Sequence, residues 1–260
     1  MRNFIILFNK EMKESLRNGK WIWLPIVMMV IGMMQPITSY YMPQILEMAG
    51  NLPEGAVIDI PTPSGEEVLI ATLSQFGTIG TLLFVLALMN VISQERQTGA
   101  IVFVVVRPVR VFQYIVSKYV AQLFILLVAF AAGYLFTWYY TNFLFNYVPW
   151  ILMLGSLGVY SLWIVLLTAV TLLFGTVLRN SGGIAGMSIL FLAMLSLLTT
   201  LFPKYMEWSP SNLSTETSKI LIEGEWGSST LLVSVSTLTL SILFLGLAVY
   251  LFKKLVRFGN

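Results

Sequence analysis

The chain has 260 residues, of which 57% are hydrophobic and only 10% charged, with a formal net charge of +3. Soluble domains carry roughly 25% charged residues, so a water-surrounded globule is excluded and the composition is that of an integral membrane protein. Histidine and cysteine are both absent, which removes histidine-ligated haem, His-based zinc sites, Ser-His catalysis, thiolate metal sites and disulfides.

Taken in chain order, residues 1–20 are expected to form an amphipathic helix. Helical projection places Phe4, Ile5, Phe8, Met12 and Leu16 on one side, and Lys10, Lys13, Glu14, Arg17 and Lys20 on the other. Such a helix suits the membrane interface, as an elbow leading into the first span. Six apolar runs of about 20 residues are expected to span the membrane, at 21–41, 73–93, 119–145, 150–178, 183–202 and 229–252. None of these runs holds an Asp, Glu, Lys or Arg. The expected fold is therefore an all-α membrane protein, with an elbow helix over 1–20 and one six-span domain over 21–260. No cleavable leader is expected: the first apolar block begins at Trp21, and the "QPITSYYMPQ" after it has no small-x-small pattern.

The first run contains Pro25 and Pro36, which predict kinks. The connection 42–72 is rich in Pro and Gly and carries acids without a base; it reads as a solvated outer loop in preference to an acidic vestibule. Gln75, Asn90, Gln122 and Asn142 read as interhelical hydrogen-bonding groups. Gly155, Gly158 and Gly175, with Gly182 and Gly186 at GxxxG spacing, are expected to let helices approach closely. In the last outer connection, 203–228, Leu213, Ile220 and Leu221 predict one apolar side of a short helix ending near Gly224.

Charge orients the chain. All of the 15 basic residues except Lys204 and Lys219 fall in residues 1–20, 94–118 and 179–182 or after residue 252. The positive-inside rule then puts both termini in the cytoplasm. The basic balance is topogenic, so membrane lipids and no nucleic acid are implied as partners. No cofactor or metal site is expected. No carboxylate or histidine lies inside a span, so a proton relay is missing. The phosphate-binding pattern GxxxxGK[ST] is absent too, since the one Gly-Lys pair, Gly19-Lys20, is followed by Trp21. Uphill transport would need energy from another polypeptide, and this chain is expected not to be an enzyme.

The segment 94–118 stands apart. Glu95 and Arg96 close the second run, the apolar string 101–106 is too short to span, and Arg107-Pro108 breaks whatever precedes it. The string needs a surface to bury against. "ISQERQTGAIVFVVVRPVRVFQYIVSKYVAQL" resembles the signature of ABC transporter permeases of the type-2, exporter class, in which an Ile-Ser-x-Glu-Arg-x-x-Gly stretch closes the second span. A Pro-Val pair and a Gly/Ser-Lys then lead into the third span. The matching positions are Glu95, Arg96, Gly99, Pro108, Val109, Arg110 and Lys118. The elbow "NKEMKESLRNGK", "LFGTVLRNSGGIAG" and "WSPSN" extend the likeness. Two positions depart from the pattern: Gln97 stands where a second acid is usual, and Arg110 follows Pro-Val directly.

The resemblance implies the permease subunit of an ATP-driven transporter in the cell membrane. It implies two partners: a cytoplasmic ABC ATPase that binds the ATP, and a second permease subunit in a homo- or heterodimer. It makes Glu95, Arg96, Gly99, Arg107, Pro108, Arg110, Lys118 and Arg179 candidates for coupling to that ATPase, with Lys10, Lys13 and Arg17 on the elbow nearby. Uncharged spans suit a peptide, lipid-like or drug-like cargo. A non-transporting membrane subunit, such as an immunity or sensor anchor, would share the same topology.

Overall fold

A computed structural model describes residues 2–48, 62–99 and 110–258. Among these residues there is no strand. The helices are α1 (Arg2–Arg17), α2 (Lys20–Met48), α3 (Gly65–Gln75), a π-helical turn (Phe76–Gly80), α4 (Thr81–Leu88), α5 (Asn90–Gln97), α6 (Val111–Leu144), α7 (Trp150–Val177), α8 (Ser181–Leu201), a 3-10 turn (Pro210–Asn212), α9 (Leu213–Glu223) and α10 (Ser228–Phe258). Six stretches are long and apolar enough to cross a membrane: Lys20–Ile45, Gly65–Gln97, Val111–Leu144, Trp150–Val177, Ser181–Leu201 and Ser228–Lys254.

These match the six expected runs in number and order, but the second and third helices begin well before their apolar runs. The second begins at Gly65, not 73, and reaches Gln97; the third begins at Val111, not 119. Apolar runs mark only the hydrocarbon crossing, whereas a helix continues wherever its ends find caps and partners. Ser64 caps α3 in a reciprocal box with Glu67, placing Glu66 and Glu67 in its first turn. Lys118 likewise lies inside α6, so the charges do not all sit in loops as the runs alone suggest.

Gly19, with φ +69°, turns the chain from α1 into α2. α2 is continuous through Pro25, Pro36 and Pro43. The second span is interrupted twice, by the π-helical turn and by a break at Met89 between α4 and α5. α9 ends as expected, with Gly224 in the left-handed region at φ +73°. Its Leu213, Ile220 and Leu221 are all buried.

α7 is the centre of the bundle: 67% of its most apolar stretch is buried, against 28% for α2, 28% for α8 and 22% for α10. The outward faces of those three helices are therefore left to lipid or to another subunit. The core is aromatic where α6 meets α7, with Phe130 and Tyr160 centroids 5.2 Å apart and Phe130 and Phe76 5.8 Å apart.

One close helix approach was not singled out by the sequence. Gly32 on α2 faces Gly133 on α6, and a Cβ on Gly133 would stand 2.8 Å from the Met28 carbonyl oxygen. Gly186, of the GxxxG spacing, has nothing within 4 Å of an added Cβ, so that spacing makes no helix contact among the described residues.

Candidate functional site

The end of the bundle that carries α1, the ends of α5 and α6 and the α7–α8 turn holds a charged junction. α1 supplies Lys10 and Glu11, α5 supplies Glu95 and Arg96, and α6 supplies Tyr114 and Lys118. Lys118 is 1% exposed and Glu95 5%, so neither charge is free to meet water. Lys118 Nζ donates to Glu11 Oε1 at 2.7 Å and stands 3.1 Å from Glu95 Oε1. Glu95 also accepts hydrogen bonds from Lys10 Nζ and from the Tyr114 hydroxyl.

Two ammonium groups thus balance two carboxylates, which is the condition for burying charge at tolerable cost. Lys10 feels the balance. Partial burial pulls its ammonium down, but the hydrogen bond to Glu95 and the charges of Glu95, Glu11 and Glu14 outweigh that, and its pKa is raised from 10.5. Oxygens of Glu11, Glu14 and Glu95 lie within 4.8 Å of one another, spacing that would suit a cation. Lys10 and Lys118 already take that place.

Arg96 extends the junction to α7 and α10. It donates to the Thr176 and Leu178 carbonyls, the latter at 3.4 Å, and so satisfies acceptors left open where α7 ends. Its guanidinium lies 5.6 Å from the Phe252 ring, and Phe252 packs 5.3 Å from Tyr114. Beside the junction, Gln122 donates to Ser15 at 3.3 Å and accepts from Lys20 at 3.3 Å. Lys20 also donates to the Ala87 carbonyl at 2.7 Å, next to the Met89 break.

The predicted coupling residues separate into three groups. Glu95, Arg96 and Lys118 are brought together as structural members of the junction. Gly99, Arg110 and Arg179 are exposed at the same end, Gly99 with φ +72° just beyond α5 and Arg110 as the N-cap of α6. Arg107, Pro108 and the apolar string 101–106 lie outside the described residues. On the elbow, Lys13 and Arg17 are exposed, while Lys10 is tied to Glu95.

α1 turns one edge of its apolar side to the bundle. Ile5 and Leu16 of its apolar side point outward, and the bundle is met by a strip that includes Glu11 and Ser15, both buried. These two polar side chains can turn inward because Lys118 and Gln122 on α6 pair with them. Glu11 and Ser15 were not singled out from the sequence, and no local pattern marks them. Their partners lie 107 residues away in both cases.

Six apolar spans and a polar junction at one bundle end define a multi-pass helical membrane protein. The chain belongs to the ABC-2 family transporter proteins, whose family model matches residues 5–255. It is similar to the uncharacterized transmembrane protein YxlG of Bacillus subtilis (strain 168), with 39% identity over 225 residues covering 86% of this chain and 87% of that protein. Membership makes it the membrane component of an ABC transporter, a class that generally works with an ABC ATPase and is generally not itself catalytic.

Proposed function

We propose that this chain is the permease subunit of an ATP-driven exporter in the cell membrane, with both termini cytoplasmic and ATP hydrolysed by a separate subunit. The observation that carries the reading is the placement of the junction. Residues 100–109 are bracketed by the ends of α5 and α6, and those ends are bound to each other and to α1 through Glu95, Lys118 and Glu11. A push on the bracketed segment therefore reaches the elbow and the second and third spans together.

In this reading Arg107, Arg110 and Arg179 are the docking charges, and Glu95, Arg96 and Lys118 are the joint behind them. Gly99 and Pro108 set the ends of the docking segment. α1 lies in the cytoplasmic interface, its outward Ile5 and Leu16 in the acyl boundary and Lys13 and Arg17 toward anionic headgroups. The weakly buried outward faces of α2, α8 and α10 leave room for a second permease subunit. The uncharged spans favour a peptide, lipid-like or drug-like cargo.

Purification in mild detergent tests the reading. An ATPase carrying a phosphate-binding loop should copurify, and its hydrolysis should rise when the permease is present. A permease that purifies without one, and that leaves the hydrolysis of a genomically adjacent ATPase unchanged, would end it.

A further inference from the structure

A cavity of about 170 Å3 lies at the other end of the bundle, between α3, the π-helical turn, α7, α8 and the segment leading into α9. Among the described residues no charged side chain lines it. Ser74, Thr78, Ser196 and Ser214 give it hydroxyls from separate elements, and Trp163 and Leu213 give it apolar wall.

Tyr160 lines this cavity, and its hydroxyl has no hydrogen-bond partner among the described residues, although the residue is only 3% exposed. An unmatched buried hydroxyl loses more free energy than an ordinary hydrogen bond returns. Two other buried aromatic side chains are paired. Tyr134 pairs with Ser156 at 2.8 Å, and Trp163 Nε1 donates to Thr81 Oγ1 at 2.9 Å.

Gly77 lies against the hydroxyl, where a Cβ would stand a tight 3.3 Å from the Tyr160 oxygen. Gly77 sits in the π-helical turn, an interruption frequent at functional positions. Thr78 in the same turn returns its hydroxyl only to the Ser74 and Gln75 carbonyls, at 3.5 and 3.2 Å.

We propose that this cavity is a binding subsite for a neutral hydroxyl group carried on an apolar or aromatic body, with Tyr160 as its hydrogen-bonding partner. That the group belongs to the cargo rests on the permease reading above. The volume equals roughly that of five or six waters at about 30 Å3 each, so it takes one small moiety and not a whole cargo molecule. A charged group is disfavoured, because nothing in the wall would neutralise it.

The chain has no cysteine, so a single Ser214→Cys in the full chain, reconstituted in vesicles, reports on the cavity through its rate of alkylation by N-ethylmaleimide. Benzyl alcohol should slow alkylation, and toluene at the same membrane concentration should not. Tyr160→Phe, and separately Gly77→Ala, should raise the benzyl alcohol concentration giving half protection by about threefold to tenfold, the effect of one hydrogen bond. Equal protection by toluene, no protection by benzyl alcohol, or unchanged half-protection in both variants overturns the subsite. The assay uses the permease alone. Its failure leaves the ATPase reading standing, and a missing ATPase would remove the cargo assignment while leaving the protection intact.

Discussion

Lys118 on α6 reaches Glu11 on α1 at 2.7 Å across 107 residues of sequence, and both side chains are shielded from water. The pair joins the first helix of the chain to the third span at the point where Glu95 of the second span also arrives.

Removing the cation from this junction leaves two carboxylates buried and under-neutralised. Lys118→Met is expected to destabilise the protein by about 3–5 kcal/mol, the scale for breaking a buried ion pair. Thermal unfolding in detergent measures it. Lys118→Met combined with Glu11→Gln should cost clearly less than the two single changes added together, because the groups share one interaction.

Glu216 makes stability sensitive to acid at the α9 end. Burial pushes its carboxyl up, but hydrogen bonds from Lys219, Thr230 and Ser229 outweigh that and hold it below 4.5. Its contribution is complete above 4.5 and is lost as pH falls through the lower folded value. Wild type should therefore lose more stability than Glu216→Gln as pH is lowered below that range. Unfolding midpoints of the two proteins across an acid series make the comparison. Parallel curves would show that the carboxylate anchors nothing between α9 and the start of α10.

Gly133 is where α2 and α6 touch backbone to backbone. Gly133→Ala puts a methyl carbon 2.8 Å from the Met28 carbonyl oxygen and 2.9 Å from its carbonyl carbon, atoms that a helix cannot move aside cheaply. Overpacking of this kind costs about 1–3 kcal/mol. Gly186→Ala, with nothing within 4 Å, is the matched control and should leave the unfolding midpoint at or slightly above that of wild type.

Arg110 separates docking from folding. It is exposed at the N-cap of α6, where an acid is favoured by the helix dipole. Arg110→Glu should keep the unfolding midpoint while weakening ATPase association roughly tenfold, about 1.4 kcal/mol, as one attraction becomes a repulsion. Quantitative pull-down with the ATPase reads the loss. An unaltered yield would remove Arg110 from the docking surface.

Orientation is tested by labelling. Gln97 and Lys204 are both exposed and lie in connections expected on opposite sides. In intact cells, Lys204→Cys should react with an impermeant maleimide and Gln97→Cys should not. The opposite pattern would invert the topology and move the proposed docking site outside.

The spans and the short helix before Gly224 were legible because each is a local property. Twenty apolar residues specify a crossing wherever they occur, and a glycine that permits positive φ ends a helix without reference to the rest of the chain. The junction was legible only in half. Glu95, Arg96 and Lys118 were picked out by the family pattern, but as candidates for coupling to an ATPase; the burial of Glu95 and Lys118 was not foreseeable from a segment that reads as a charged connection. Glu11 and Ser15 lie along one edge of the apolar side of α1, and no local pattern marks that edge as the one that meets the bundle.

Hydropathy along the chain was enough to specify a six-span helical membrane protein. Hydrophobicity adds up along the chain, and missing residue types are missing everywhere. Only the tertiary structure decided which charges face inward, which glycines touch, and which tyrosine is left without a partner. Those are pairings between residues far apart in sequence, set by how helices pack and recorded in no single stretch.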